Sequence, residues 1–198
     1  MDMEREIRRM DAMTALRSRA SAIKLREPGP SRHELDQIMA AAVNAPDHGK
    51  LHPWRFIVIE GEARRRFGVL LADALRRREP DAPGARLEAE RAKPLRAPML
   101  VVVVGRPDTG SKIPEIEQIV SAGAAAQSIV LAVHALGYGC FWRTGAAAYD
   151  AMVKRGLGLA EVERVIGFLH LGTVEVPGRP REIDPLAFVS WWRGEEAA

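Results

Sequence analysis

A chain of 198 residues, 47% hydrophobic and 28% charged, is long enough for one domain with a sizeable core and too short for two ordinary ones. Its composition excludes a disordered protein, and its net charge of +3 is spread over mixed signs, as in Arg86-Leu87-Glu88-Ala89-Glu90-Arg91. A single cysteine, Cys140, excludes an intrachain disulfide, suits a reducing compartment and reads as buried filler in its apolar stretch.

The first nine residues alternate acids and arginines without an apolar stretch, so no signal peptide is read there and the cytoplasm is the expected compartment. They read as an extension ahead of one domain covering residues 10–198. Residues 10–17 have a helical pattern that ends near Arg19-Ala20-Ser21. Glu27-Pro28-Gly29-Pro30 is a loop, and Ser31 followed by Glu34 forms a capping box for a helix to about residue 43. Residues 45–53 are bounded by Pro46 and Pro53 and make a loop.

Trp54–Glu60 alternates and is β-branched, hence a strand, closed by Gly61. A charged amphipathic helix follows from 63 to about 78. Its clusters Arg64-Arg65-Arg66 and Arg76-Arg77-Arg78 read as a solvated face, because no aromatic residue interleaves them; no nucleic-acid partner is expected. Residues 79–98 are the least regular, a loop with some polar helix and a candidate mobile lid. Residues 99–104 are a continuous apolar run of strand length, the pattern of a strand buried on both faces. Pro114 opens a helix whose apolar pattern persists to about Leu136. The stretch 122–142 nearly reaches membrane-spanning length, but Gln127, Ser128, His134, Gly137 and Gly139 interrupt it. A core helix running into a strand fits better, and no membrane partner is expected. Residues 138–142 form a strand, 149–156 a short helix and 165–171 another strand. The tail is extended and proline-rich over 177–185 and strand-like over 187–192, a segment suited to reaching a partner subunit. Strands and helices without regular βαβ alternation imply an α+β domain of two or three layers; no glycine fingerprint of a dinucleotide fold follows a strand.

The chain has no P-loop, no His-Glu-x-x-His, no Cys-x-x-Cys and no Gly-x-Ser-x-Gly elbow. His48 and His52 are four apart, a spacing that aligns two imidazoles only within a helix, and they lie between two prolines; no metal site is expected. With no evident nucleophile or acid–base pair, the hard chemistry falls to a bound cofactor. Three clusters suit a planar anionic one. Arg17-Ser18-Arg19-Ala20-Ser21 offers a guanidinium fork and hydroxyls at a helix end, where an ordinary polar terminus is the competing reading. The loop from Asn44 and His48 to Trp54 is held by prolines and loses little entropy on ordering around a ligand, or is a plain connection. Trp142-Arg143-Thr144-Gly145 ends a strand and can aim N–H groups and a guanidinium into a cleft; alone, a strand-end arginine is usually just solvated.

In order and content these clusters resemble the nitroreductase superfamily. The resemblance runs from about residue 10 to residue 188. It is carried by Ala45-Pro46-Asp47-His48 with Pro53-Trp54-Arg55-Phe56, by Ser121-Ala122-Gly123, by Trp142-Arg143-Thr144-Gly145-Ala146, and by Gly167-Phe168-Leu169-His170-Leu171-Gly172-Thr173. It implies a nitroreductase-like α/β sandwich: a central mixed, mostly antiparallel sheet flanked by helices, in an intertwined homodimer whose C-terminal strand reaches the partner. FMN would lie at the interface. By position, Arg19, Ala20 and Ser21 match the first flavin-binding segment. Asn44 and His48 match residues reaching the flavin from the other subunit, and Trp142, Arg143 and Thr144 the segment closing over it. Ala132, Val133, His134, Ala135, Leu136 and Gly137 correspond to a stretch linked to the nicotinamide nucleotide. The implied reaction passes hydride from NAD(P)H through the flavin to a small electron-poor acceptor, a nitroaromatic or quinone, with no side chain as obligatory proton donor. A non-catalytic flavin-binding dimer, flavin destruction or dehalogenation are the alternatives on the same fold. Two positions depart from close relatives, which carry arginine where Ala20 and Asn44 stand. His52 also replaces a common Gln. The flavin site is therefore expected to be less positive than usual.

Overall fold

The computed structural model describes residues 10–194; the N-terminal extension read over residues 1–9 lies outside them. Five strands form one sheet in the order β1 (Lys24–Arg26), β5 (Arg164–Val176), β3 (Met99–Gly105) and β2 (Trp54–Glu60), with β4 (Gly139–Arg143) also pairing with β5. The sequence implied a mixed, mostly antiparallel sheet. Among the described residues every pairing is antiparallel, and β5 is the hub, bonded to β1, β3 and β4.

The apolar run of β3 is explained by what lies on either side. Val101 and Val103 pack with Ile38 of α2 (Arg32–Ala42), Ile129 and Val133 of α5 (Glu115–Ala135), and Leu169 and Leu171 of β5. Leu100, Val102 and Val104 point the other way. They meet Phe67 and Leu71 of α3 (Ala63–Arg78), Val153 of α6 (Ala151–Gly156), and Phe168. Alternate side chains leave opposite faces of a strand, so a strand covered on both faces needs apolar residues at every position. Each large apolar side chain so buried contributes roughly 1.5–3 kcal/mol of transfer free energy.

The capping box behaves as the sequence foretells. Ser31 Oγ accepts from the Glu34 N–H at 3.3 Å, and Glu34 Oε2 accepts from the Ser31 N–H at 2.7 Å. Helix α5 is long and apolar enough to cross a membrane by length and composition, yet it lies across the sheet with Ala122, Ala125, Ala126, Ile129 and Val133 fully buried.

Some detail departs from the sequence. Residues 79–98, read as loop with some polar helix, hold α4 (Gly84–Ala92) and a 3-10 turn (Lys93–Arg96), packed on α3 with Leu87 and Pro94 buried. Strand β1 escaped the sequence because three residues with only Leu25 buried carry no visible period. The tail is not a strand within its own subunit. Asp184 caps a 3-10 turn, Pro185–Phe188, and no strand follows it to residue 194. A strand needs a neighbour for its N–H and C=O groups, and this sheet offers none there.

Candidate functional site

Strand β4 is the axis of the site, because two of the three sequence clusters lie at its two ends. At its start the Ala22 N–H donates to the Cys140 carbonyl at 3.0 Å, drawing the segment after α1 (Ala12–Ser18) onto β4. Arg19 is the C-cap of α1, its N–H donating to the Ala15 carbonyl at 3.2 Å. Here lies a hollow of about 120 Å³, lined among others by Ser18, Ala20, His134, Tyr138, Gly139 and Gly178. Gly178 is there because the tail runs hard against the first cluster: a Cβ at this position would collide with the Ser21 carbonyl oxygen. His134 Nε2 stands 2.9 Å from Ser18 Oγ. Burial, then the nearby Arg19 guanidinium, holds the His134 imidazole below its usual pKa. The Cys140 thiol is pushed up to about 12 by burial, only partly opposed by Arg19, so it is inert at neutral pH.

At the other end β4 opens into a cavity of about 420 Å³, within the range of small-molecule sites. Trp142, Arg143 and Thr144 line it, over an apolar floor of Phe67, Leu71 and Phe168. The Trp142 Nε1–H donates to the Ile166 carbonyl at 3.2 Å. The Arg143 guanidinium lies 5.0 Å from the centre of the Phe141 ring, a cation–π contact, and the same ring stacks on His170 at 4.5 Å. His170 is only 3% exposed. Its Nε2 stands 3.3 Å from the Lys93 carbonyl, which can only accept, so Nε2 carries the proton. Nδ1 has no hydrogen-bond partner among the described residues. Burial first, with smaller contributions from Arg143 and Arg96, lowers its pKa to about 4, so the ring is neutral at pH 7. Arg78 and Lys93 add positive charge to the wall, paired respectively with Asp150 and Glu90.

The second cluster stands apart. Asn44, just beyond α2, donates through Nδ2 to the Ala40 carbonyl at 2.7 Å, and His48 Nδ1 pairs with Glu117 Oε2 at 2.6 Å near the start of α5. Both are exposed, and neither lines the hollow or the cavity. Of the stretch matched to the nicotinamide nucleotide, Val133 is fully buried and so unavailable to a ligand, Gly137 is a turn after the helix, and His134 alone lines the hollow. Sequence reasoning missed Arg78, Lys93 and His170. The first two sit in or beside the segment read as a lid, and His170 looks like core because leucines flank it; a charged residue beside buried Pro94 was the only signal.

An antiparallel sheet covered on both faces, with a partly apolar cavity of small-molecule size at one strand end, makes this an α+β protein with a candidate small-molecule site. Residues 16–173 match the Nitroreductase family, and the chain belongs to it. It is 36% identical over 185 residues to YdjA of Escherichia coli K12, a protein named as an NAD(P)H nitroreductase, spanning 92% of this chain and all of that one. Among solved structures, a nitroreductase-like family protein from Bacillus cereus superposes with a TM-score of 0.81 at 22% identity, over 93% of this chain and 97% of its own. A nitroreductase-type protein from Desulfovibrio desulfuricans, solved in complex with FMN, gives 0.70 at 21% identity, over 94% and 96%.

Proposed function

We propose that this chain is an FMN-dependent oxidoreductase that moves hydride from NAD(P)H by way of the flavin to nitroaromatic or quinone-like acceptors. The observation that carries the reading is the placement of two predicted clusters, Arg19–Ser21 and Trp142–Thr144, at opposite ends of one short strand. A small hollow lined by Ser18, Ala20 and His134 lies at one end and a larger cavity at the other. Five residues of strand span roughly 16 Å, so a ligand with an anionic tail and a planar head can lie along β4. Family membership and the FMN bound by a protein of this fold support it.

The donor set fits the cofactor. Arg19 and Ser21 are suited to the phosphate, since a guanidinium fork and a hydroxyl satisfy several oxygens at once. Arg143, and Lys93 in its pair with Glu90, stand in the cavity wall over the apolar floor, where the ring would lie. When bound, the flavin supplies the hydride-accepting and electron-donating chemistry that no side chain here offers. The protein orients it, excludes water with Phe67, Leu71 and Phe168, and holds positive charge where negative charge develops on reduction. Ala20 and Asn44 carry none, which makes the affinity for FMN modest. Asn44 and His48, remote from β4, complete the site from the second subunit of a homodimer. The exposed tail, with Phe188, Trp191 and Trp192 each more than three-quarters exposed, embraces that partner.

The purified protein should take up FMN, show flavin absorbance, and bleach anaerobically on addition of NADH or NADPH. Steady nicotinamide oxidation should then require a nitroaromatic or quinone and leave the flavin intact. Protein that stays colourless after FMN is added would overturn the reading. Bound flavin that does not bleach would make it a binding module, and consumption of the flavin would make it a flavin-destroying enzyme.

A further inference from the structure

Across β4 and β5, Phe141 is paired with His170 and Arg143 with Phe168. Residues two apart on a strand leave the same face, so these four side chains stand together on the cavity side of the sheet. The Phe141 ring stacks on His170 at 4.5 Å, and the Arg143 guanidinium lies 5.0 Å from the centre of the Phe141 ring. His170 is held in turn by the Lys93 carbonyl, and burial lowers its pKa to about 4, so it brings no charge at pH 7. The guanidinium is thus placed by a stack whose base is buried, while Arg143 itself is exposed on the open side of the cavity. Its N–H donors have no hydrogen bond and no ion pair among the described residues.

We infer that Arg143 is a specificity-determining residue, which binds the carboxylate of a flat aromatic ligand whose ring lies on the apolar floor of the cavity. That this ligand is an electron acceptor, a nitroaromatic or quinone bearing a carboxylate, rests on the function proposed above. Its recognition as an aromatic carboxylate does not.

The charges that line the cavity select the ligand. Arg78 is tied to Asp150 and Lys93 to Glu90. Glu90, the acid among the lining residues, is neutralised by that pair and does not oppose an anion. Arg143 is left as the lining cation without an acid partner among the described residues. One free guanidinium matches one negative charge, and its planar fork offers two parallel N–H donors to the two oxygens of a carboxylate. A phosphate dianion asks for a second free cation, which this wall does not hold. Phe67, Leu71, Leu100 and Phe168 supply apolar surface for a ring, in a space of about 420 Å³. A neutral aromatic molecule gains that surface alone, and a cationic one is repelled by Arg143.

Benzoate and benzamide test this, because they present one ring with and without the charge. Each is measured as a competitive inhibitor of NADH-driven reduction of a neutral quinone, with FMN saturating so that any effect of Arg143 on the flavin cancels in the ratio. The wild type should bind benzoate about tenfold more tightly than benzamide, the lower end of what a charge-assisted hydrogen bond contributes, since Arg143 is exposed. Arg143→Gln should bring the two ligands to within about twofold of each other by loosening benzoate alone. Benzoate no tighter than benzamide in the wild type, or a preference kept by Arg143→Gln, overturns the inference. Protein that takes up no flavin or oxidises no NADH means that the function proposed above has failed, and calorimetric titration of both ligands into the protein as purified then decides. The same preference, lost in Arg143→Gln, upholds the carboxylate site without the acceptor role. Its absence overturns the site as well.

Discussion

The two ends of β4 are built differently. At the hollow the polar groups are bonded to one another: Thr14 to Ser18, Ser18 to His134, Ala22 to Cys140, with the tail pressed against Ser21. At the cavity the cations are tied to acids, Arg78 to Asp150 and Lys93 to Glu90. Arg143 has no ion pair among the described residues and lies against an aromatic ring. The first arrangement holds one occupant in one pose. The second leaves an open, basic, partly apolar space where planar molecules can exchange. On the function proposed above, such a strand would join an anchor for the cofactor to a chamber where two half-reactions exchange their partners.

The largest expected effect concerns the chamber's floor. The His170 pKa falls from its usual value to about 4 in the fold. In the unfolded chain it titrates near 6.5, so the unfolded state binds the extra proton first. The stabilisation is therefore full above about pH 6.5 and is lost as pH falls toward 4, amounting to about 3 kcal/mol at one pKa unit per 1.36 kcal/mol. Urea unfolding at pH 7 and pH 4 checks this. The wild type should lose about 3 kcal/mol more than His170→Phe, in which nothing titrates at this place. Equal losses would mean that the imidazole is not held neutral in the floor, and the contrast between the two ends would weaken.

Next come the two arginines, which should separate anchor from chamber. Arg19→Ala removes a charge-assisted contact of about 1.5–3 kcal/mol, so FMN should bind about ten- to a hundredfold more weakly while riboflavin is unaffected. Arg143→Ala should weaken FMN and riboflavin alike by about fivefold, close to 1 kcal/mol, because it acts on the ring. Fluorescence titration with both ligands reads each. If Arg143→Ala discriminates between the ligands as Arg19→Ala does, the phosphate and the ring are placed at the wrong ends of β4.

How far this site was readable follows the same division. Arg19, Ser21, Trp142, Arg143 and Thr144 were visible as clusters because each is contiguous in the chain, and β4 itself announced its length. Strand β3 was plain from its unbroken valines, and α2 from Ser31 and Glu34. What stayed hidden depends on contacts far apart in sequence. His170 meets Lys93 across 77 positions, and Ser18 meets His134 across 116. No local pattern encodes such pairs. His134 was named only as one residue of the stretch that the resemblance links to the nicotinamide nucleotide, and residues 79–98 read as a candidate lid because Leu87 and Pro94, their anchors, stand singly among polar neighbours. The tail's alternating 187–192 pattern is suited to a strand, but strand formation needs a neighbouring edge, and within one subunit the sheet provides none there.

The smallest effect bears on what lies outside both ends. Asn44 sits exposed where α2 ends, its amide bonded back to Ala40. A cation there is favoured by the helix dipole, by about 0.3–1 kcal/mol at low ionic strength, so Asn44→Arg should leave the fold intact. If a second subunit brings this position to the flavin, the added charge should tighten FMN by about three- to fivefold at low salt. The gain should fade as the screening length shrinks from about 10 Å at 0.1 M to about 3 Å at 1 M salt. It should also vanish when the protein is diluted below its association limit, because within one subunit Asn44 lines neither the hollow nor the cavity. Titrations at two salt concentrations and two protein concentrations read all of this. A gain that survives dilution would mean that Asn44 reaches the flavin from its own subunit, and the site would then belong to one chain. No gain at any condition would confine the flavin to the two ends of β4.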